Sequence, residues 1–226
     1  MPRPRVPDRR GRILTAARDL ILATGWADVT VADVAARAGI GKGAVYLEFP
    51  DKAAILSAVL TRSTRDLTAE VHARVLAAPG LVDLPAVYRF AVDALLGDPL
   101  MRALYLGDEA VLGRHVRDVA DDRYTQRMDW LADYVTALQR AGVLDPAVPA
   151  GTVVRVLGVF TLGLAHAPGV LGATRAEDLS ATVELFAGLV GRGLATDGPV
   201  DPEAARAAQL DLLAHLDTQL DLLKEP

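Results

Sequence analysis

The chain has 226 residues, 51% of them hydrophobic and 23% charged, a length that suits one domain or two small ones and a composition that folds around a core rather than staying disordered. It contains no cysteine, which excludes disulfide frameworks, thiolate zinc sites and cysteine nucleophiles. The net charge of −5 is divided unevenly: residues 1–52 hold nine Lys/Arg against six Asp/Glu, and the remainder holds 15 against 23, so a basic head that suits an anionic partner sits on an acidic body.

Nearly every segment reads as helix. Over 9–24, Ile13, Ala17, Leu20 and Ile21 follow the spacing of one buried face, and Gly25 is a C-terminal stop. Thr30-Val31-Ala32-Asp33 resembles a capping box that opens a short helix ending at Gly39. A second short helix is expected over Gly41–Phe49, where Pro50-Asp51 stops it and caps a long helix over Ala53–Ala77. Pro79-Gly80 breaks the chain, Leu84–Leu96 carries a helical stripe, and Asp98-Pro99 pairs an N-cap with proline at the first helical position.

Helices are expected over Asp108–Val119 and Ala120–Ala141, the latter ending at Gly142. Thr152–Ala167 is apolar almost all round, as in a helix buried on more than one side. Thr174-Arg175-Ala176-Glu177 reads as a full capping box before a helix that turns Val183, Phe186, Leu189 and Val190 inward, and Asp201-Pro202 starts the last helix. With no convincing strand, the fold class is all-α. A seam near residue 50 divides it into a head over 1–52 and a helical body over 53–226.

The head holds the informative motif. Two short helices meet at Gly39-Ile40-Gly41, and the second opens Lys42-Gly43-Ala44-Val45-Tyr46: a helix-turn-helix candidate. Small side chains in its first half let the backbone approach base edges in a major groove, while Lys42 attracts phosphate. Val45 and Phe49, four apart, face back into a three-helix core that also takes Val31, Val34, Ala35 and Trp26.

The run from Gly25 to Tyr46, followed by Phe49 and Asp51-Lys52, resembles the N-terminal domain of the TetR family of transcriptional regulators over roughly residues 9–60. The resemblance implies a three-helix DNA-binding domain followed by a ligand-binding and dimerisation domain. It also implies DNA contacts at Thr30, Lys42, Gly43, Ala44, Tyr46 and Leu47, with a phosphate contact from Lys52. Alternatives stand beside these roles. Thr30 serves as a cap alone or also meets DNA, and Tyr46 is a core aromatic or a contact. Arg3, Arg5, Arg9 and Arg10 form a loose tail or an arm that reaches a minor groove. Leu47 and Glu48 depart from the family pattern, and nothing in the sequence accounts for the acidic residue at 48.

For the body, the resemblance implies a homodimer and a small-molecule pocket. The helices 152–167 and 177–194, the second with Leu185, Leu189 and Leu194 on its other face, offer more apolar surface than one core needs, and pairing with a second copy buries the surplus. Pocket candidates are Tyr88, Met101, Tyr105, Met128, Trp130, Phe160 and His166, large residues on the enclosing helices. The expected molecule is a homodimeric repressor released from a palindromic double-stranded DNA operator by a small, largely apolar effector. An activator or co-repressor-type regulator of the same fold is one alternative, and a DNA-independent interaction protein with a degenerate head is the other.

Other chemistries find no support. Gly39-Ile40-Gly41-Lys42-Gly43 lacks the earlier glycine, the following Ser/Thr and the preceding strand of a nucleotide-phosphate loop. His72, His115, His166 and His215 have no paired metal-ligand spacing, although His115 lies near Asp118 and Asp122. Neither a catalytic set, a metal site nor a cofactor is expected. Ile13–Gly25, interrupted by Arg18 and Asp19, makes a poor secretory core, and Val156–Leu171 is too short to span a bilayer, so the expected location is the cytoplasm, with no membrane partner.

Overall fold

A computed structural model describes residues 8–112 and 124–222, apart from the side chains at 84, 85, 109, 124–128, 162, 165, 166, 169 and 219–222. The described residues are helical, with no strand among them. The head comprises α1 (Arg9–Thr24), α2 (Val31–Ala38) and α3 (Lys42–Tyr46); α4 (Lys52–Ala77) leads into α5 (Leu84–Gly97), α6 (Pro99–Leu106), α7 (Glu109–Leu112), α8 (Tyr124–Arg140), α9 (Ala150–Leu171), α10 (Ala176–Gly193) and α11 (Pro202–Leu222).

The helix starts follow local side-chain chemistry. Asp51, Asp83 and Asp98 each accept a backbone N–H of the first turn they cap, and Asp201 accepts from Glu203 and Ala204 at the start of α11, satisfying donors that would otherwise be orphaned. Two expectations about these helix ends need correcting. The second head helix is regular only over Lys42–Tyr46, because Pro50 disfavours helical backbone at Phe49; the Phe49 N–H still bonds Val45 O at 3.0 Å, so the winding carries on without a full turn. The capping box at Thr174 does not form. Arg175 occupies the N-cap without a side-chain cap bond, its guanidinium pairs with Glu177 and Asp178, and the Thr174 N–H is committed to Leu106 O.

One continuous apolar core runs from head to body, joining Ile13, Ile21, Val34 and Val45 to Ile55 and Val59 of α4 and on to Leu100, Leu104, Leu112 and Val183. The bend after α1 is held against α7. Trp26 N–H donates to Val111 O at 2.8 Å, and a Cβ on Gly25, whose φ is +79°, would lie 2.3 Å from Ala110 O. Only glycine fits this close approach.

The C-terminal helix closes the far end of α4. Arg206 donates to the carbonyls of Val75, Leu76 and Ala78, Gln209 brackets the backbone of Val82 through both ends of its amide, and His72 pairs with Asp217 at 2.6 Å.

An apolar face remains uncovered in the single chain. On α9, Val156, Val159, Val170 and Leu171 are exposed, and on α10 Leu185 and Leu189 are 62% and 55% exposed. This corrects the inward placement of Leu189: it lies one turn from Leu185 and shares its outward side, while Val183 and Ala187 hold the buried face. Leu194, grouped with the outward residues by sequence, packs instead on the small core of Val135, Val153 and Val154. The helix α9 also continues past the expected end at Ala167, with Pro168 inside its last turn.

Candidate nucleic-acid interface

The geometry of the head is set by its turn. Gly39 adopts φ +66°, and the Gly39 and Ile40 N–H groups return to Ala36 O and Ala35 O, a helix stop that glycine adopts without strain. Arg12 reaches across from α1 and donates to Ala38 O at 2.5 Å. Below the turn, Val34, Ala35, Val45 and Phe49 are buried with Trp26, so α3 is anchored by one side and the opposite side is free.

That free side carries the predicted contacts. Lys42, Gly43, Tyr46 and Leu47 are exposed and Ala44 is half-buried. Tyr46, 47% exposed, is not the core aromatic that its hydrophobicity allowed, and Leu47 is 75% exposed. A Cβ built on Gly41 or Gly43 meets nothing within 4 Å. The fold itself therefore does not require glycine at position 43.

Thr30 completes the predicted box with Asp33. Its hydroxyl accepts from Asp33 N–H and donates to the Asp33 carboxylate, which also accepts from Thr30 N–H. The Thr30 hydroxyl, followed by its backbone N–H, holds the Asp33 carboxyl below the ordinary 3.8. Lys52 has partners of its own: its Nζ donates to Trp26 O at 2.7 Å and Ala27 O at 3.3 Å and stands 4.4 Å from the Trp26 ring centroid. The lysine thus pins the α1–α2 loop to the start of α4.

Glu48, anomalous in the sequence, receives a structural account. Its carboxylate accepts from Arg9 Nε at 2.6 Å and also from Arg9 Nη2, while the Arg10 guanidinium lies over the Phe49 ring at 4.5 Å. Arg9 and Arg10 are therefore the first turn of α1, tied to the end of α3, and not part of a loose arm; Arg3 and Arg5 lie outside the described residues. Arg10 also lines a cleft of about 590 Å³ between α1 and α4, together with Arg62 and Arg65.

Sequence reasoning missed the side chains that join head to body. Arg18 of α1 donates to Ser63 Oγ of α4 at 2.7 Å and pairs with Asp98, the cap of α6, at 3.1 Å. No local pattern announces a triad drawn from three helices.

The pocket candidates divide. Tyr88 and Phe160 meet, together with Phe186, in a three-ring cluster: Phe160 and Phe186 stack, and Tyr88 stands edge-on to both. Burial pushes the Tyr88 phenol up from its ordinary value, opposed by a hydrogen bond with Thr161. Met101 is buried, and Tyr105 packs half-buried on the same core. Trp130 instead stacks on His215 of α11, with ring centroids 5.6 Å apart. The side chains of Met128 and His166, and all of residues His115, Asp118 and Asp122, lie outside the described residues. Phe186 had a signal in the inward stripe of α10, but nothing in the sequence pointed to its ring partners. Among the described residues no cluster of three His, Asp or Glu is placed to hold a metal ion, and no helix is long and apolar enough to cross a membrane.

Comparison with known proteins agrees with this geometry. Residues 13–59 match the family model described as bacterial regulatory proteins, tetR family. An uncharacterized HTH-type transcriptional regulator of Mycobacterium tuberculosis is 39% identical over 64 residues, which cover 28% of this chain and 34% of that protein; the match thus spans about a third of the relative's length. A TetR-family transcriptional regulator from Pectobacterium atrosepticum superposes with a TM-score of 0.61 at 22% identity, over 87% of this chain and 100% of that one. SmeT, the repressor of the Stenotrophomonas maltophilia multidrug efflux pump SmeDEF, gives 0.53 at 20% identity, over 87% and 95%. The match to the tetR family model lies in the helix-turn-helix head, residues 13–59, and the all-helical fold is similar to that of solved TetR-family transcriptional regulators.

Proposed function

We propose that the chain is a homodimeric, ligand-responsive transcriptional repressor that binds a palindromic operator in double-stranded DNA and is released from it by a small, largely apolar molecule. The observation that carries this reading is the face of Lys42, Gly43, Ala44, Tyr46 and Leu47, open to solvent on a short helix whose reverse side is locked by buried Val45 and Phe49. In the basic head, that face has the charge and the low relief that a major groove accepts. Thr30 and Lys52 flank it as phosphate contacts. The Thr30 hydroxyl reaches a phosphate by turning its hydrogen from the Asp33 carboxylate to the phosphate oxygen while still accepting from Asp33 N–H, and the ammonium of Lys52 keeps a third N–H beside its two carbonyl partners.

The exposed valines and leucines of α9 and α10 pair with their copies in a second chain, since a patch of this kind marks an interface. Two recognition helices then meet successive major grooves about one helical turn apart. The effector sits among Tyr88, Met101, Tyr105 and Phe160, with the aromatic cluster as its apolar wall. Its binding reaches the head through two contacts: Arg18 with Asp98 and Ser63, and the α1–α2 loop docked on Val111. Movement of α6 and α7 shifts the population toward heads that no longer match the operator spacing. Repression is the sign SmeT's description carries. The protein acts in the cytoplasm, without a metal, cofactor or catalytic step.

Fluorescence anisotropy on DNA from upstream of its own coding region, against scrambled DNA at two salt concentrations, tests this reading. Specific binding that falls steeply with salt is expected. No binding to either DNA even at low salt would replace the regulator by a DNA-independent helical interaction protein.

A further inference from the structure

Resting on α3 as the DNA-reading helix, we propose that Leu47 identifies a thymine in each half-site through the thymine 5-methyl group. Leu47, at 75% exposure, is the most exposed large apolar side chain among the described residues of the head, and it belongs to none of the apolar cores. Its position is set by the anchor. Gly43 and Leu47 each lie two residues from Val45, about 200° around the helix from it, and Val45 is wholly buried. Leu47 therefore projects from the same side as the glycine, where the backbone meets no obstruction.

The hydrogen-bonding inventory of this side narrows what it reads. The helix carries none of the asparagine, glutamine or arginine side chains that make bidentate contacts to bases. The arginines around the head have partners: Arg37 pairs with Asp19, Arg12 donates to Ala38 O, Arg9 pairs with Glu48, and Arg10 lies over Phe49. The carboxylate of Glu48, two residues past α3, is held by Arg9 and so is withdrawn from the cytosine amino group. Lys42 and Tyr46 remain as polar groups. For an isobutyl side chain, the major groove offers one apolar feature at a base edge, the thymine methyl. Close approach over Gly43 and Ala44 brings the two together and removes both from water.

The test uses the full chain and duplexes enriched by it from a random-sequence pool. Each thymine of the enriched site is replaced in turn by deoxyuridine, which removes the methyl and keeps every hydrogen-bonding group. The expected result is one thymine per half-site whose replacement weakens wild-type binding about fourfold, the value of one methyl taken out of water, and about sixteenfold when both half-sites are changed. Leu47→Ala should bind the thymine and deoxyuridine duplexes equally, with an unchanged melting temperature because the side chain is exposed. Enrichment of a specific site with no methyl-sensitive thymine would overturn the role of Leu47 and leave the regulator intact, and so would a methyl effect that persists in Leu47→Ala. Failure to enrich any sequence would overturn both.

Discussion

Replacing Gly43 by alanine separates what the fold needs from what the interface needs. In the free protein the new methyl meets nothing within 4 Å, and the position has no left-handed backbone to strain. Alanine loses less backbone entropy than glycine in a helix, so stability should be unchanged or rise by up to about 1 kcal/mol. In the proposed DNA complex the same methyl enters the closest part of the contact. Overpacking a fitted surface costs about 1–3 kcal/mol, or roughly five- to 150-fold in affinity. Denaturant unfolding and anisotropy on an enriched duplex measure the two effects on one preparation. Gly39→Ala is the contrast: φ +66° and Arg12 Nη2 at 3.0 Å from the new Cβ should cost about 1–2 kcal/mol of stability. A Gly43→Ala protein that binds the duplex as tightly as wild type, or that unfolds more easily, would refute the assignment of this glycine to DNA approach.

Lys42→Ala should leave the unfolding midpoint unchanged, because the side chain is exposed, and should lower the slope of log affinity against log salt by about 0.9 for each phosphate that the lysine neutralises; titrations at four salt concentrations read it. Lys52→Ala should weaken binding to all sequences alike. It should also lower stability by about 1–3 kcal/mol through its carbonyl and indole contacts, so melting must accompany the binding assay. Asp33, whose folded carboxyl lies below the ordinary 3.8, contributes stability that is fully present above that value and is lost as the pH falls through its folded value. Asp33→Asn should accordingly show a shallower loss of melting temperature than wild type on acidification from pH 5. Leu185→Asp with Leu189→Asp should convert a dimer to a monomer in sedimentation equilibrium while helicity by circular dichroism is kept.

Much of this fold was legible because its signals are local. The caps at Thr30, Asp51, Asp98 and Asp201 are chemistry between residues two or three apart, and the buried pair Val45 and Phe49 fixes which side of α3 faces out. Legibility failed where a side chain answers to a distant partner. Glu48 reads as an anomaly until Arg9, 39 residues earlier, is folded against it. Arg175 displaces a well-formed capping motif because its charge finds Glu177 and Asp178, and Thr174 bonds to the end of α6. Trp130 fits a pocket list by size alone, yet its ring stacks on a histidine of the last helix.

The proposal that two copies of α3 enter successive major grooves is tested most directly by dimethyl sulfate interference on an enriched duplex, since guanine N7 lies in the major groove and adenine N3 in the minor groove. Interference at guanines in two clusters centred about 10–11 base pairs apart is the predicted result. Interference confined to adenines, or a single cluster with no symmetric mate, would contradict it.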